Sequence, residues 1–274
     1  MTVDLSAEAS TARFSPRQRA RISRGVQYTV LLALLVVVLV SADWSRVGET
    51  VFNLASAQEL IGDLPQAFLN TLTYTLAAFV VGITLGTLLA LMRLSSVGPY
   101  RWIATVYTEF FRGIPALLVV ITVYYALPQA FGISLSSVAA ISAISLGSVA
   151  AAYIAETMRA GIQAVPKGQV EAARSLGMSH TRTLIKVVLP QAFRTVLPPL
   201  TNELLLLTKD TSLLFAIGMT PVQYELTKIG RDALSSGAGG GLTPLFLVGA
   251  CYLIITIPLG FLTRWLERRT GGTA

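Results

Sequence analysis

The chain has 274 residues, 53% of them hydrophobic and only 13% charged, with a formal net charge of +7. Soluble domains carry roughly a quarter charged residues, so this composition with several long apolar runs excludes an ordinary soluble domain and implies an integral membrane protein. The single cysteine, Cys251, and the single histidine, His180, exclude an internal disulfide and leave too few ligands for a transition-metal cage.

Residues 1–24 are polar and hold Arg13, Arg17, Arg19, Arg21 and Arg24 without apolar periodicity. They read as a disordered cytoplasmic tail. Val26 to Ala42 is the first apolar run, flanked by Tyr28 and Trp44. A basic region, an apolar stretch and small residues at Ser41 and Ala42 also describe a cleaved signal peptide. The basic region is long for one, and a retained helix is the preferred reading. Residues 43–65 read as an external loop with a helix along the membrane surface. Pro65 opens a second span, about 65–92, whose Thr71, Thr73, Thr75, Gly82, Gly86 and Thr87 let helices approach closely.

A third span, about 101–127, is interrupted at Phe111-Arg112-Gly113-Ile114-Pro115, where glycine and proline break or kink the helix. Leu127-Pro128 ends it. The fourth span, about 137–158, is rich in Ala, Ser and Gly and carries Glu156 near its inner end. A cytoplasmic loop follows over 159–190. The fifth span, about 191–218, holds Pro198-Pro199, Asn202, Glu203 and the polar cluster Thr208-Lys209-Asp210-Thr211-Ser212. Residues 219–241 form a polar, glycine-ending loop. The sixth span is about 242–263, and 266–274 are a short cytoplasmic tail. With both termini inside, only Arg46, Lys228 and Arg231 fall outside. Lys and Arg accumulate in cytoplasmic loops, so the asymmetry fixes the predicted orientation. The basic excess then serves topology and anionic lipid rather than nucleic acid. The expected fold is an all-α bundle of about six transmembrane helices.

Within the 159–190 loop, Pro166 suits the first turn of a helix. That helix runs through Glu171, Ala172, Ala173, Arg174, Ser175 and Leu176. Gly177 stops it in a left-handed cap, and Ser179 caps the next helix. Small alanines, an apolar Leu176 and charged Glu171 and Arg174 fit a helix presented to a partner's groove. A solvated surface helix fits the residues alone equally well.

The spacing Glu171-Ala172-Ala173, three residues, Gly177, nine residues, Val187, one residue, Leu189-Pro190 resembles the EAA loop of ATP-binding-cassette importer permeases, with Val187 where that family usually has Ile. Further stretches resemble its polar amino-acid subfamily: Phe110 to Pro115, Ala155 to Ile162, Gly168-Gln169, Leu189 to Arg194 and Lys209 to Leu213. The likeness spans about 60–265 and leaves the first span and basic tail unexplained. It implies a type I importer transmembrane domain in the cell membrane, from about residue 65 to 265, that forms the translocation path of an amino-acid importer. An ATPase dimer, carrying the ATP and its magnesium ion, would hold the 167–176 helix. An extracytoplasmic binding protein would deliver substrate. A second permease copy or a paralogous chain, the latter preferred, would complete the path. No G-x-x-x-x-G-K-[S/T] loop occurs here, so ATP chemistry is not expected in this chain.

Ionisable groups inside spans are costly and default to functional readings. Lys209, Asp210, Glu203 and Asn202 on the fifth span, Arg112 and Glu109 at the kink and Glu156 on the fourth are the path candidates, with Thr211 and Ser212 beside them. Pairing with neighbouring helices and interfacial snorkelling are their bland alternatives. Family likeness puts glutamate, glutamine or aspartate first as substrate and basic amino acids next. A secondary transporter would show internal repeats, and none is evident. An intramembrane enzyme would need a nucleophile–base pair or paired aspartates within the bilayer, which the chain does not offer.

Overall fold

A computed structural model describes residues 16–236 and 241–270, and these contain helices and no strand. Part of the predicted basic tail, the end of the glycine loop and the last four residues lie outside the described residues. The chain divides into two units at Phe52/Asn53.

The first unit holds α1 (Pro16–Ser41) and α2 (Trp44–Val51). Arg17, Arg19, Arg21 and Arg24 lie on the opening turns of α1 rather than in a disordered tail. Pro16 suits a first helical position and arginine is a good helix former, so the apolar run nucleates a helix that extends back through them. Asp43 begins α2 by accepting from the Arg46 backbone N–H at 3.1 Å.

The second unit opens with α3 (Leu54–Ile61), capped by Asn53, whose side chain accepts from the N–H groups of Ala55 and Ser56. Then come α4 (Leu64–Leu94), α5 (Gly98–Gly113), α6 (Ala116–Phe131) and α7 (Val138–Gln163). The loop helices α8 (Lys167–Ser175) and α9 (His180–Thr183) lead through a π turn (Leu184–Val188) into α10 (Leu189–Asp210). A 3₁₀ turn (Thr211–Ala216), α11 (Leu226–Ser236) and α12 (Thr243–Thr270) complete it.

Helices α4 and α7 form the central pair of the bundle. Their approach is set by glycine. A methyl group at Gly86 would stand 2.8 Å from the Ala151 carbonyl oxygen, and one at Gly147 2.9 Å from Val81. The hydroxyls of Thr71 and Thr75 bond carbonyls one turn back, at 2.9 and 2.8 Å, and so stay satisfied inside the bundle. Ser142 donates across to the Tyr74 carbonyl at 3.0 Å and ties the two helices together. Small residues at these positions do the packing work read from the sequence.

Among the described residues, four helices (α1, α4, α7 and α12) are long and apolar enough to cross a membrane. The α5–α6 pair makes a fifth span bent by 104°. The break falls at Ile114-Pro115, where the sequence predicts it. Leu127-Pro128 does not end α6, which runs on to Phe131 and closes at Gly132 with φ 66°. The predicted fifth span is α10. It is 22 residues long but falls outside the apolar class, because Asn202, Glu203, Lys209 and Asp210 make it amphipathic. Its prolines Pro198 and Pro199 lie inside the helix, and the Thr201 hydroxyl donates to the Pro198 carbonyl at 2.7 Å.

Candidate functional site

Gly113 ends α5 because Pro115 has no N–H to continue the helix and pushes Ile114 into extended backbone, φ −105° and ψ 139°. The break from Gly113 to Ala116 forms one wall of a cavity of about 500 Å³. Leu146, Val149, Ala150 and Tyr153 of α7 form a second wall, and Glu203, Leu206, Leu207 and Asp210 of α10 a third. Arg112 stands at its edge. Glu203 and Asp210 are seven residues apart, two helical turns, so α10 presents both carboxyls to the same space. The site is apolar with three charged groups: one guanidinium and two carboxyls.

Arg112 connects the cavity to a second cluster. Its guanidinium lies 5.7 Å from the Tyr153 ring centroid and 4.0 Å from Glu156 Oε1. Glu156 is held from two further sides, by Arg93 of α4 on Oε1 and by Arg159 on Oε2, where Nη2 comes to 2.8 Å. Arg93 also reaches the Thr108 hydroxyl on α5 at 3.3 Å. Three arginines from three helices thus surround one carboxylate.

The structure brings Arg112, Glu203 and Asp210 together and places Glu156 one contact away. Asn202, Lys209 and Glu109 are exposed and do not line the cavity. Lys209 follows from α-helical geometry: its neighbour Asp210 points inward, so it points about 100° away. Thr211 is buried with its hydroxyl on the Thr208 carbonyl at 2.7 Å, a bond that eases the passage into the 3₁₀ turn. Ser212 lies beside it, off the cavity lining. Tyr153, Arg93 and Arg159 escape a reading by charge within spans, since the arginines sit at span ends and tyrosine carries no formal charge. The i, i+3 spacing of Tyr153 and Glu156 is the available signal.

The predicted loop geometry is present. Gly177 has φ 79°, its N–H bonds the Arg174 carbonyl at 3.0 Å, and the Met178 N–H bonds the Ala173 carbonyl at 3.1 Å. Those two bonds are the double closure of a left-handed glycine cap. Ser179 accepts from the Arg182 N–H at 3.3 Å. Glu171 and Ala172 are exposed, and Leu176 is 85% exposed. Ala173 is buried and turned inward, and Arg174 donates to the Met178 carbonyl at 2.8 Å, closing its own turn. The outward face is therefore Glu171, Ala172 and Leu176.

A second buried polar group lies before α11, outside the spans. Glu225 is fully buried and accepts from the N–H groups of Thr227 and Lys228, both at 2.6 Å, and from the Tyr252 hydroxyl at 3.2 Å. Burial pushes its carboxyl up to about 7 against those hydrogen bonds.

A bundle with a broken helix, a charged cavity at the break and a capped two-helix loop defines the transmembrane domain of a binding-protein-dependent importer. Residues 82–272 match the family of binding-protein-dependent transport system inner membrane components, and the chain belongs to that family. It is a multi-pass inner-membrane permease of the amino-acid ABC class. It is 38% identical over 202 residues to the arginine transport system permease protein ArtQ of Bacillus subtilis, covering 73% of this chain and 88% of that one. It is 36% identical over 207 residues to the glutamate/aspartate import permease protein GltK of Escherichia coli, covering 73% and 90%. Against the arginine transport system permease protein ArgU of Corynebacterium glutamicum, the identity is 33% over 281 residues, covering 95% of this chain and 85% of that one. Among solved structures, an amino acid ABC transporter crystallised with histidines superposes with TM-score 0.70 at 34% identity, covering 78% and 97%. The type I fold expected from the sequence is the one observed.

Proposed function

We propose that this chain carries cationic amino acids as the permease subunit of an ATP-driven importer. The observation that supports it is the charge set of the cavity: two carboxyls, Glu203 and Asp210, against one guanidinium, Arg112. A basic amino acid carries two positive groups and one carboxylate. It matches that set one for one, with Arg112 facing its carboxylate and the two acids its ammonium and side-chain cation. An acidic amino acid would bring two carboxylates to a cavity that already holds two. This reverses the order expected from family likeness. The arginine permeases among the relatives support it, one of them aligned through the N-terminal extension. The cavity size fits a small ligand.

The ATPase dimer would dock against Glu171, Ala172 and Leu176, whose exposure supports that role. A binding protein and a second permease, a copy or a paralogue, complete the assembly, and ATP with its magnesium ion belongs to the ATPase.

The test is ligand binding by the purified permease–ATPase complex without its binding protein. Arginine and lysine are expected to bind and glutamate and glutamine not to compete. Glu203→Gln and Asp210→Asn should each weaken arginine binding by about tenfold, as expected for a lost charge-assisted hydrogen bond. Binding of glutamate with no competition from arginine overturns the proposal.

A further inference from the structure

Glu156 lies outside the cavity lining but beside the residue at its edge. Both its oxygens are engaged, Oε1 by Arg93 and Oε2 by Arg159 at 2.8 Å, so the carboxylate is a fixed post rather than a free ligand. The two arginines come from different helices, and Arg93 is steadied by Thr108 on a third. Arg112 is the loosest member of this group. It reaches Oε1 only at 4.0 Å, its side chain is 41% exposed, and its other contact is the Tyr153 ring at 5.7 Å. It also directly precedes the α5–α6 break, where no following helical turn restrains it. Three guanidiniums around one carboxylate leave the cluster short of negative charge on the side where Arg112 faces the cavity.

We propose that Glu156 is a positioning residue for substrate recognition. It holds the Arg112 guanidinium at the cavity edge, aimed so that the second anion the cluster lacks is the α-carboxylate of the transported amino acid. Removing the Glu156 charge leaves Arg93, Arg112 and Arg159 to repel one another and releases Arg112 from the site. The grip on the carboxylate is then lost while the acidic wall on α10 is untouched. This inference rests on the cationic-substrate reading and adds to it a residue that substrate does not touch.

The test compares arginine with agmatine, which keeps both positive groups and lacks the carboxylate. Binding is measured on the assembled permease–ATPase complex without binding protein. The intact complex should prefer arginine by about tenfold, the worth of one charge-assisted pair. Glu156→Gln should bring the two ligands to within about threefold, by weakening arginine while agmatine stays at its original affinity, and Arg112→Gln should erase the preference for arginine as well. A purely structural role for Glu156 would weaken both ligands together. If Glu156→Gln does not assemble, Glu156→Asp takes its place. That variant withdraws the carboxylate by one methylene and should shrink the preference without changing agmatine binding. A preference that persists in Glu156→Gln or in Glu156→Asp overturns the inference while leaving the cationic-substrate reading intact. If the intact complex binds neither arginine nor agmatine, that reading itself falls, and the inference with it.

Discussion

Glu225 shows what a single buried carboxyl does to this protein. It is 0% exposed and caps the start of α11 through two backbone N–H groups at 2.6 Å. Charged groups nearby do not neutralise it. Lys228 turns away to Asp232 at 3.0 Å, while Tyr74 and Tyr252 offer only hydroxyls, and Tyr74 spends its own on the Gln223 carbonyl. Burial raises the carboxyl from its ordinary value near 4.5 to about 7. A carboxyl raised on folding makes its contribution to stability in the protonated form. That contribution is complete below pH 4.5 and is lost as pH climbs through about 7. The purified protein should therefore melt at progressively lower temperature between pH 5.5 and 8.5, by a total worth about 1–3 kcal/mol. Glu225→Gln keeps an acceptor for the N–H groups but cannot ionise, so its melting temperature should vary less across the same range. Equal pH slopes for the two proteins would show that Glu225 does not titrate there.

At the scale of elements, the junction between α9 and α10 is the least regular piece of the bundle. A π turn from Leu184 to Val188 joins them, and Thr183 at its entrance is 1% exposed with a hydroxyl that has no hydrogen-bond partner. Most helical threonines here, such as Thr71 and Thr208, return their hydroxyl to a carbonyl four residues back. Thr183 does not, although its backbone N–H bonds the Ser179 carbonyl four residues back at 2.9 Å. A buried unpaired hydroxyl costs about 1–3 kcal/mol. Thr183→Val keeps the shape and should raise thermal stability by about 1 kcal/mol; a lower melting temperature would mean the hydroxyl is engaged. None of this is legible in Thr183-Leu184-Ile185, since a π turn inserts one residue without changing composition. The glycine cap at Gly177 and the break at Ile114-Pro115 are legible because each rests on a residue with a conformational rule of its own. The close approach at Gly86 is legible because glycine has no Cβ to hold a neighbouring helix off. The membership of Arg112, Glu203 and Asp210 in one cavity is half legible: charge in a span marks the residues, but only the 104° bend shows that the kink faces α10 and not lipid. Lys209 carries the same mark and points elsewhere, because adjacent positions on a helix face different ways.

At the scale of the molecule, the 159–190 loop and the cavity share one continuous stretch of helix. The second arm of the loop passes from α9 through the π turn into α10 without a gap, and α10 carries Glu203 and Asp210 to the cavity. The first arm, α8, is joined to it by the Gly177 turn and presents Leu176 at 85% exposure. On the proposed docking, a force applied to α8 by an ATPase would reach α10 through Leu189-Pro190 and would move the cavity wall with it. Docking and binding are separable in this arrangement, since the outward face of α8 contributes nothing to the cavity lining. Leu176→Asp places a charge where an apolar contact is expected and should cut ATPase co-purification at least tenfold, as burial of an unpaired charge at an interface centre does. ATP-driven uptake should fall in parallel. Arginine binding to the isolated permease should stay unchanged, because Glu203, Asp210 and Arg112 keep their places. Uptake at the original rate with the ATPase still attached would show that α8 is not the docking element. Loss of arginine binding along with uptake would show that the loop and the cavity fold as one unit rather than act on one another.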